Sequence, residues 1–326
     1  MTGSTQADEG GVEVENGRFE ATPSLDLDGE GDTEDEMYGA IEDVVDDLIA
    51  ATEDARESEV FREFLDAQSR FHSYSFRNTL LIKMQRPDAT RVAGYRTWQD
   101  EFDRQVQKGE TGIRILRPII TTRCPVCENA PSYHDKIGCE YDDTAPDEWD
   151  SGLVGFTTAT VFDIGQTEGE PVPMLPTDAE ADDTEAPLDA FLDAAASLGV
   201  TAEVVAPDEW NRRGSGSCDL TDGSVEALGG RSDAAVVGTL AHEYGHAELH
   251  AEGGEAENEA DREAREVETE AVAYVVGRYF GLDMSGSAFY LAAWSDDDGE
   301  KIRKRLDRIA AVSGRIIDAV RDEIDD

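Results

Sequence analysis

Residues 239–250 read TLAHEYGHAELH and follow an apolar stretch, Ala234–Leu240. Residues four apart lie on one face of a helix, one turn from each other. His242 and His246 can therefore share one Zn²⁺ at about 2.0–2.1 Å per bond. Glu243 lies beside them on the helix surface, where it can reach a water on the metal without ligating the metal itself. The pattern predicts a catalytic zinc site on a buried helix, with Glu243 as the general base.

A catalytic zinc ion needs a third protein ligand and one open position. The stretch VETEAVAYVVG at 267–277 offers two glutamates. Glu270 shares a helical face with the small residues Ala273 and Gly277, whereas Glu268 points about 160° away. We therefore predict Glu270 as the third ligand. The alternative is a solvated acidic helix face, because the chain is rich in acidic residues throughout.

His250 is a weaker ligand candidate. On a continuous helix it lies about 12 Å along the axis from His242, so we expect it in a supporting or core position. Two histidines, a glutamate and water around zinc are typical of peptide hydrolysis, because the metal activates water and polarises a carbonyl group. Glu243 would accept the proton of the water and pass it to the leaving amine.

A second cluster of metal-ligating residues reads CPVCENAPSYHDKIGC at 124–139, with the spacing C-x2-C-x6-H-x4-C. Three thiolates and one imidazole fill a tetrahedral zinc shell and leave no open position, which is typical of a structural site. The predicted ligands are Cys124, Cys127, His134 and Cys139. A redox pair at Cys124 and Cys127, or unlinked thiols, are the alternatives. The sequence thus predicts one catalytic and one structural Zn²⁺.

The chain of 326 residues has a net charge of −46, from 74 acidic and 28 basic residues, and only five of the basic residues are Lys. Acidic surfaces with scarce Lys resemble proteins of halophilic archaea, in which molar salt screens the self-repulsion. An ordinary acidic protein with a disordered tail is the alternative. No apolar run reaches the length of a membrane span. The N-terminus lacks a signal-peptide pattern, so we expect a cytoplasmic protein without a membrane partner.

Composition divides the chain into segments. Residues 1–36 are predicted to be a disordered acidic tail and residues 171–186 a linker. The fold class is α+β, with a mixed α/β domain at 37–170 and a mainly helical domain at 187–326. The cysteine-rich insertion at 121–152 is expected to resemble a zinc knuckle. Periodicity predicts strands at 113–120 and 155–164 and helices at 188–198, 236–250, 262–280 and 300–324.

Residues 61–123 break the acidic trend, with 12 Lys/Arg and 7 Asp/Glu, a net charge of +5. Such a basic window is the footprint of a polyanion site, and its interleaved aromatic residues suit stacking with unpaired bases. In the alternative, which weighs equally, the aromatic residues are core and the arginines pair with acidic groups. The candidate DNA contacts are Arg77, Arg91, Tyr95, Arg96, Trp98, Lys108 and Arg114.

Three ordered blocks carry a family resemblance: FHSYSFRNTLLIKMQRPDATRVAGYRTWQ at 71–99, QVQKGETGIRIL at 105–116 and VGFTTATVFDIGQTEG at 154–169. Together they resemble the N-terminal domain of the ArdC antirestriction proteins. HEYGHAELH with EAVAYVVG resembles the zinc metallopeptidase domain of that family and of its ImmA/IrrE relatives. The cysteine insertion and the acidic tail depart from the family pattern.

The resemblance implies a single-stranded-DNA-binding domain joined to a gluzincin-like domain. It also implies His242, His246 and Glu270 as metal ligands and Glu243 as the catalytic acid/base. We therefore expect a DNA-associated zinc metallopeptidase of antirestriction type, with single-stranded DNA and a protein substrate as partners. The alternatives are a non-catalytic DNA-binding protein with a structural zinc site and a repressor-cleaving regulatory protease.

Overall fold

The computed structural model describes residues 37–43, 46, 59–141, 145–172, 187–250, 259–287, 289, 291–294, 297 and 299–325. These residues form two compact units. The sheet unit comprises residues 37–41 and 81–170, and the helix unit comprises residues 42–80 and 171–326, each without the gaps above. The predicted acidic tail and nearly all of the predicted linker lie outside the described residues.

Eight helices, eight strands and three short 3₁₀ turns have both ends within the described residues, and residues 37–43 are helical as well. The helices are α1 (Glu59–Arg70), α2 (Phe76–Gln85), α3 (Tyr95–Asp100), α4 (Pro131–Ile137), α5 (Leu188–Asp193), α6 (Asp233–His250), α7 (Glu259–Tyr279) and α8 (Gly299–Asp325). The strands are β1 (Val92–Gly94), β2 (Arg104–Val106), β3 (Ile113–Thr122), β4 (Ser151–Asp163), β5 (Thr167–Gly169), β6 (Thr201–Val205), β7 (Gly216–Asp219) and β8 (Ser224–Leu228). Among these described helices, none is long and apolar enough to cross a membrane.

The predicted division at residue 171 differs from the one observed. We expected residues 37–80 to fold with the N-terminal domain, but residues 42–80 group with the C-terminal half of the chain. The reason is apolar packing: α1 buries Phe61 and Phe64, and the Phe61 ring meets Phe289 and Trp294 edge-on. The burial of these aromatic rings attaches α1 to the helix unit.

The sheet unit is built on the antiparallel pair β3 and β4, with β1 on the other side of β4. Both strands extend beyond the predicted bounds, because pairing continues to Thr122 and Ser151 at the base of the cysteine-rich insertion. A separate two-stranded sheet joins β2 to β5. The Trp98 side chain is fully buried within the sheet unit, and its indole N–H donates to the Phe162 carbonyl at 2.9 Å.

The helix unit holds a three-stranded sheet in the order β6-β8-β7, in addition to the predicted helices. β6 and β8 run parallel and β7 runs antiparallel to β8. α6 lies between this sheet and the helices α7 and α8, and it is buried on most of its faces. The Tyr244 hydroxyl donates to the Phe191 carbonyl at 2.6 Å, which ties α6 to α5.

Two local features set the position of α6. Its first turn is capped by Ser232, whose hydroxyl oxygen accepts the Ala235 N–H at 3.3 Å. In the middle of the helix, Gly245 faces α7, and a Cβ atom there would lie 3.1 Å from Thr269 Cγ2. Glycine therefore permits a close approach of the two helices, which brings one face of α7 to the histidines of α6.

Candidate metal centre

The histidines of α6 and one carboxylate of α7 form a compact triangle of ligand atoms. The Nε2 atoms of His242 and His246 lie 3.2 Å apart. The Glu266 Oε2 atom lies 3.6 Å from each of them. Three ligands at about 2.0–2.1 Å from a tetrahedral metal ion stand about 3.4 Å from one another. The three atoms therefore fit the face of a tetrahedral zinc shell with its fourth position open.

The third corner of this triangle is the Glu266 carboxylate, whereas Glu270 is the residue that we predicted as the third ligand. The Glu270 carboxylate lies 3.2 Å from Nδ1 of His242, the ring nitrogen on the other side from the triangle. Both glutamates share one face of α7, because they are one turn apart. The sequence pattern identified that face, but the choice of turn depends on how far α7 slides along α6. Glu268 points the other way, as predicted, and pairs with Arg305 and Arg308 of α8.

Groups around the triangle orient the imidazole rings. Glu270 holds Nδ1 of His242, and the Thr269 hydroxyl lies 3.3 Å from Nδ1 of His246. The same hydroxyl lies 3.3 Å from Nε2 of His250. Such outer contacts fix the ring orientation of metal-binding histidines and raise their basicity. Burial lowers the pKa of His250 to about 4, so this ring is neutral beside the site.

The site carries an excess of negative charge. Burial would lower the pKa of His242, but hydrogen bonds with Glu266 and Glu270, together with the charge of Glu243, raise it to about 10. The hydrogen bonds from the histidines lower the pKa of Glu266. An environment that retains a proton on a buried imidazole also favours a divalent cation, which would displace that proton on binding.

Glu243 lies next to the triangle with its carboxyl group largely buried. Burial raises its pKa, although the charges of His242 and His246 oppose the shift. A raised carboxyl pKa is suited to a general base that operates near neutral pH. The carboxylate packs against Gly216 of β7, where a Cβ atom would lie 2.2 Å from Glu243 Oε1.

The strand β7 offers a backbone edge beside Glu243. The Leu228 N–H donates to the Ser215 carbonyl. In an antiparallel pair, only every second residue of a strand bonds to its neighbour, so the backbone groups of Gly216 and Cys218 point away from β8. No strand of the described residues pairs with this edge. Burial, followed by the charge of Glu243, raises the pKa of the Cys218 thiol to about 12, so the thiol stays protonated.

The cysteine-rich insertion brings its four predicted ligands together. One ligand atom from each of Cys124, Cys127, His134 and Cys139 lies within 4.8 Å of the others. Burial opposes ionisation of Cys127, but hydrogen bonds from Asn129, His134 and Cys124 lower its pKa to about 6. This cluster belongs to the sheet unit, whereas the histidine triangle belongs to the helix unit.

The predicted DNA contacts separate into two groups. Tyr95 is 44% exposed, Arg96 and Lys108 are also exposed, and Arg91 and Arg114 are half-buried in the sheet unit. Trp98 and Arg77 are corrections. The Trp98 ring is buried and its N–H is bonded, so it has no free face for a base. Arg77 lies in the helix unit, where its guanidinium donates to both oxygens of Asp307 at 3.3 Å.

Comparison with known proteins identifies one part of the chain. Residues 35–162 match the family model of the N-terminal domain of anti-restriction factor ArdC. This match agrees with the resemblance carried by the three sequence blocks, and it covers less than half of the chain. No curated protein matches the sequence.

Two solved structures are similar to the chain: the metal-free and the Mn(II)-bound crystal structures of the antirestriction protein ArdC from the R388 plasmid. Each is 17% identical, with a TM-score of 0.47, and the alignment covers 87% of this chain and 97% of the other. At these values the similarity supports no argument about the function of this chain.

The two glutamates of α7 should affect metal affinity differently. Glu266→Gln removes a charged ligand and should weaken Zn²⁺ binding more than Glu270→Gln, which removes an orienting contact worth about 10–100-fold in affinity. Glu203→Gln on β6, an exposed glutamate separated from β7 by β8, is the matched control and should leave the affinity unchanged. Competition titration with a zinc chelator measures all three. A larger loss for Glu270→Gln than for Glu266→Gln would restore Glu270 as the ligand.

Proposed function

We propose that the helix unit is a zinc-dependent peptidase, of the ImmA/IrrE-like type that the sequence resemblance implies. His242, His246 and Glu266 hold the metal, and Glu243 is the general base. The observation that carries the proposal is the triangle of ligand atoms, with edges of 3.2, 3.6 and 3.6 Å, beside a buried carboxylate. A purely structural zinc site would have a closed shell of four protein ligands.

The residues around the triangle have separate roles in hydrolysis. A bound zinc ion supplies an activated water and polarises the scissile carbonyl. Glu243 accepts the proton of the attacking water and passes it to the leaving amine. Glu270 and Thr269 hold the imidazole rings in place. The outward backbone groups of β7 suit an extended peptide, which would add to the sheet edge and bring its carbonyl next to Glu243.

Hydrolysis is tested by cleavage of fluorescently labelled, unfolded casein by the zinc-loaded protein in molar KCl. Glu243→Gln should reduce the rate by about 10²–10⁴-fold, because general acid–base catalysis contributes on that order. Glu203→Gln on β6 is the control and should retain the wild-type rate. The metal content must be equal in all three proteins. A metal-loaded wild type that cleaves no faster than Glu243→Gln would favour the non-catalytic alternative.

The glycine opposite the base provides a second test. In Gly216→Ala the new methyl group would lie 2.2 Å from Glu243 Oε1 and 2.7 Å from Thr239 Cγ2, so the carboxylate must move and α6 is pushed from β7. We expect a loss of cleavage rate of at least about 10-fold from the displaced base, together with a lower melting temperature from the overlap with Thr239. Gly238→Ala in α6, where a Cβ atom meets nothing within 4 Å, is the matched control. A wild-type rate in Gly216→Ala would argue against Glu243 as the base.

We further propose that the sheet unit binds single-stranded DNA, as the family resemblance implies for this part of the chain, and that the protein acts in antirestriction. The match over residues 35–162 and the exposed side chains of Tyr95 and Arg96 support it. The Tyr95 ring packs edge-on against Phe162 and is 44% exposed, which leaves part of it available for stacking, and Arg96 follows it on the first turn of α3. The acidic composition supports a halophilic setting, in which phosphate contacts contribute little and stacking contributes more.

Fluorescence anisotropy with labelled oligonucleotides, from low to molar KCl, tests this interface. Tyr95→Ala should weaken single-strand binding by about 1–3 kcal/mol, the contribution of one stacked base. Tyr95→Phe keeps the ring and should bind as wild type does. Arg96→Ala should weaken binding mainly at low salt, and Arg213→Ala, an exposed arginine of the helix unit, is its control. Equal affinity for duplex and single strands would contradict the proposed mode.

A further inference from the structure

We infer that Cys124, Cys127, His134 and Cys139 form a structural zinc site that folds the insertion between β3 and β4, independently of the peptidase centre. The site is closed, because three thiolates and one imidazole complete a tetrahedral shell. Its role would be to hold the end of the β3–β4 hairpin. No part of this inference depends on the proposed peptidase activity.

The distances within the cluster agree with a shared metal ion. Four ligand atoms lie within 4.8 Å of one another, and Cys127 Sγ lies 3.6 Å from His134 Nδ1. Bonds of about 2.3 Å to sulfur and about 2.0–2.1 Å to nitrogen place tetrahedral ligands about 3.6–3.8 Å apart. All four cysteines of the chain are free, so no disulfide competes for these sulfurs.

The first two cysteines lie on a tight turn that directs a backbone amide at a sulfur. The Val126 N–H donates to Cys124 Sγ at 3.4 Å, an arrangement that stabilises a thiolate. The turn closes with the Glu128 N–H on the Cys124 carbonyl at 2.9 Å. Glu128 itself has a φ of 56°, which is unusual for a residue other than glycine. The Asn129 amide donates to the Cys127 carbonyl at 2.7 Å and fixes the end of the turn.

The other two ligands are placed by the short helix α4. Pro131 begins the helix, and Gly138 ends it with a φ of 66°, a left-handed conformation that favours glycine. His134 therefore points inward from the helix, and Cys139 follows directly after the helix ends. The Cys139 N–H donates to the His134 carbonyl at 3.3 Å, which holds the two ligands together. The His134 ring packs edge-on against Trp149, with ring centroids 5.0 Å apart.

The insertion has too small an apolar core to fold by itself. Among its described residues in the range 121–152, only Cys124, His134 and Trp149 are buried. Two of these are proposed ligands and the third packs against one of them. A segment of this size needs a stabilising contribution besides its apolar core, and the free energy of zinc binding can provide that contribution. The burial pattern therefore centres on the metal position and not on a hydrophobic cluster.

Metal content and cobalt spectroscopy on the full chain test the site. The wild type, purified with a reductant, should hold about two zinc ions, and Co²⁺ substitution should give an intense thiolate-to-cobalt absorption band. The double variant Cys124→Ser/Cys127→Ser should lose that band and one metal ion. Cys218→Ser, which changes the remaining cysteine, should keep both. His242→Ala/His246→Ala should lose the other metal ion and keep the thiolate band.

The outcomes separate this site from the peptidase centre. Loss of the thiolate band in the cysteine variant, with the histidine variant unaffected, supports the inference whether or not the protein cleaves peptides. If the wild type shows no thiolate band, or if the cysteine variant keeps it, the inference is wrong. Thiol titration of the metal-free wild type in denaturant, where Cys218 is also accessible, should find four thiols; fewer would indicate a disulfide redox pair and would also overturn it. Chelation should expose residues 121–152 to limited proteolysis, while a stable insertion without metal would contradict a folding role.

Discussion

The candidate metal centre depends on the close packing of α6 against α7. Gly245 has no side chain where the helices meet, so Thr269 can approach until its hydroxyl reaches the imidazoles of His246 and His250. The same approach aligns Glu266 with the Nε2 atoms of both ligand histidines. A larger side chain at position 245 would separate the helices, and ligand atoms that must lie about 3.4 Å apart would no longer converge.

The position of α7 is secured from its other face by buried charges. Glu268 is fully buried and pairs with Arg305 at 3.0 Å and with Arg308, both on α8. Asp297 accepts a second hydrogen bond from Arg305 at 2.6 Å. Removal of one member of a buried ion pair costs several kcal/mol, because the remaining charge has no partner. α7 thus carries acidic residues on two opposite faces. Glu266 and Glu270 face the histidines of α6, and Glu268 faces the arginines of α8.

In a chain with a net charge of −46, the two candidate metal clusters have different electrostatic surroundings. The histidine triangle lies among carboxylates, which raise the pKa of His242 and favour a divalent ion. In the cysteine cluster, hydrogen bonds lower the pKa of Cys127, and the surrounding segment has few buried residues among those described. The first cluster offers three candidate ligands, which would leave one position of a tetrahedral ion open, and the second offers four, which would close the shell.

Local periodicity determined much of this protein from the sequence alone. The spacing of His242 and His246 placed two ligands on one helix face, the strands β3 and β4 followed from their β-branched residues, and the spacing of the cysteines indicated the cluster at 124–139. Each of these features depends on residues close together in the chain, so their relative positions follow from the sequence.

The tertiary structure decided what depends on distant contacts. The position of α7 along α6 brought Glu266, rather than Glu270, close to the Nε2 atoms of both histidines. Packing within the sheet unit buried Trp98. Aromatic packing joined residues 42–80 to the helix unit, with Arg77 bound to Asp307, because long-range burial outweighs the local composition that suggested a continuous basic surface.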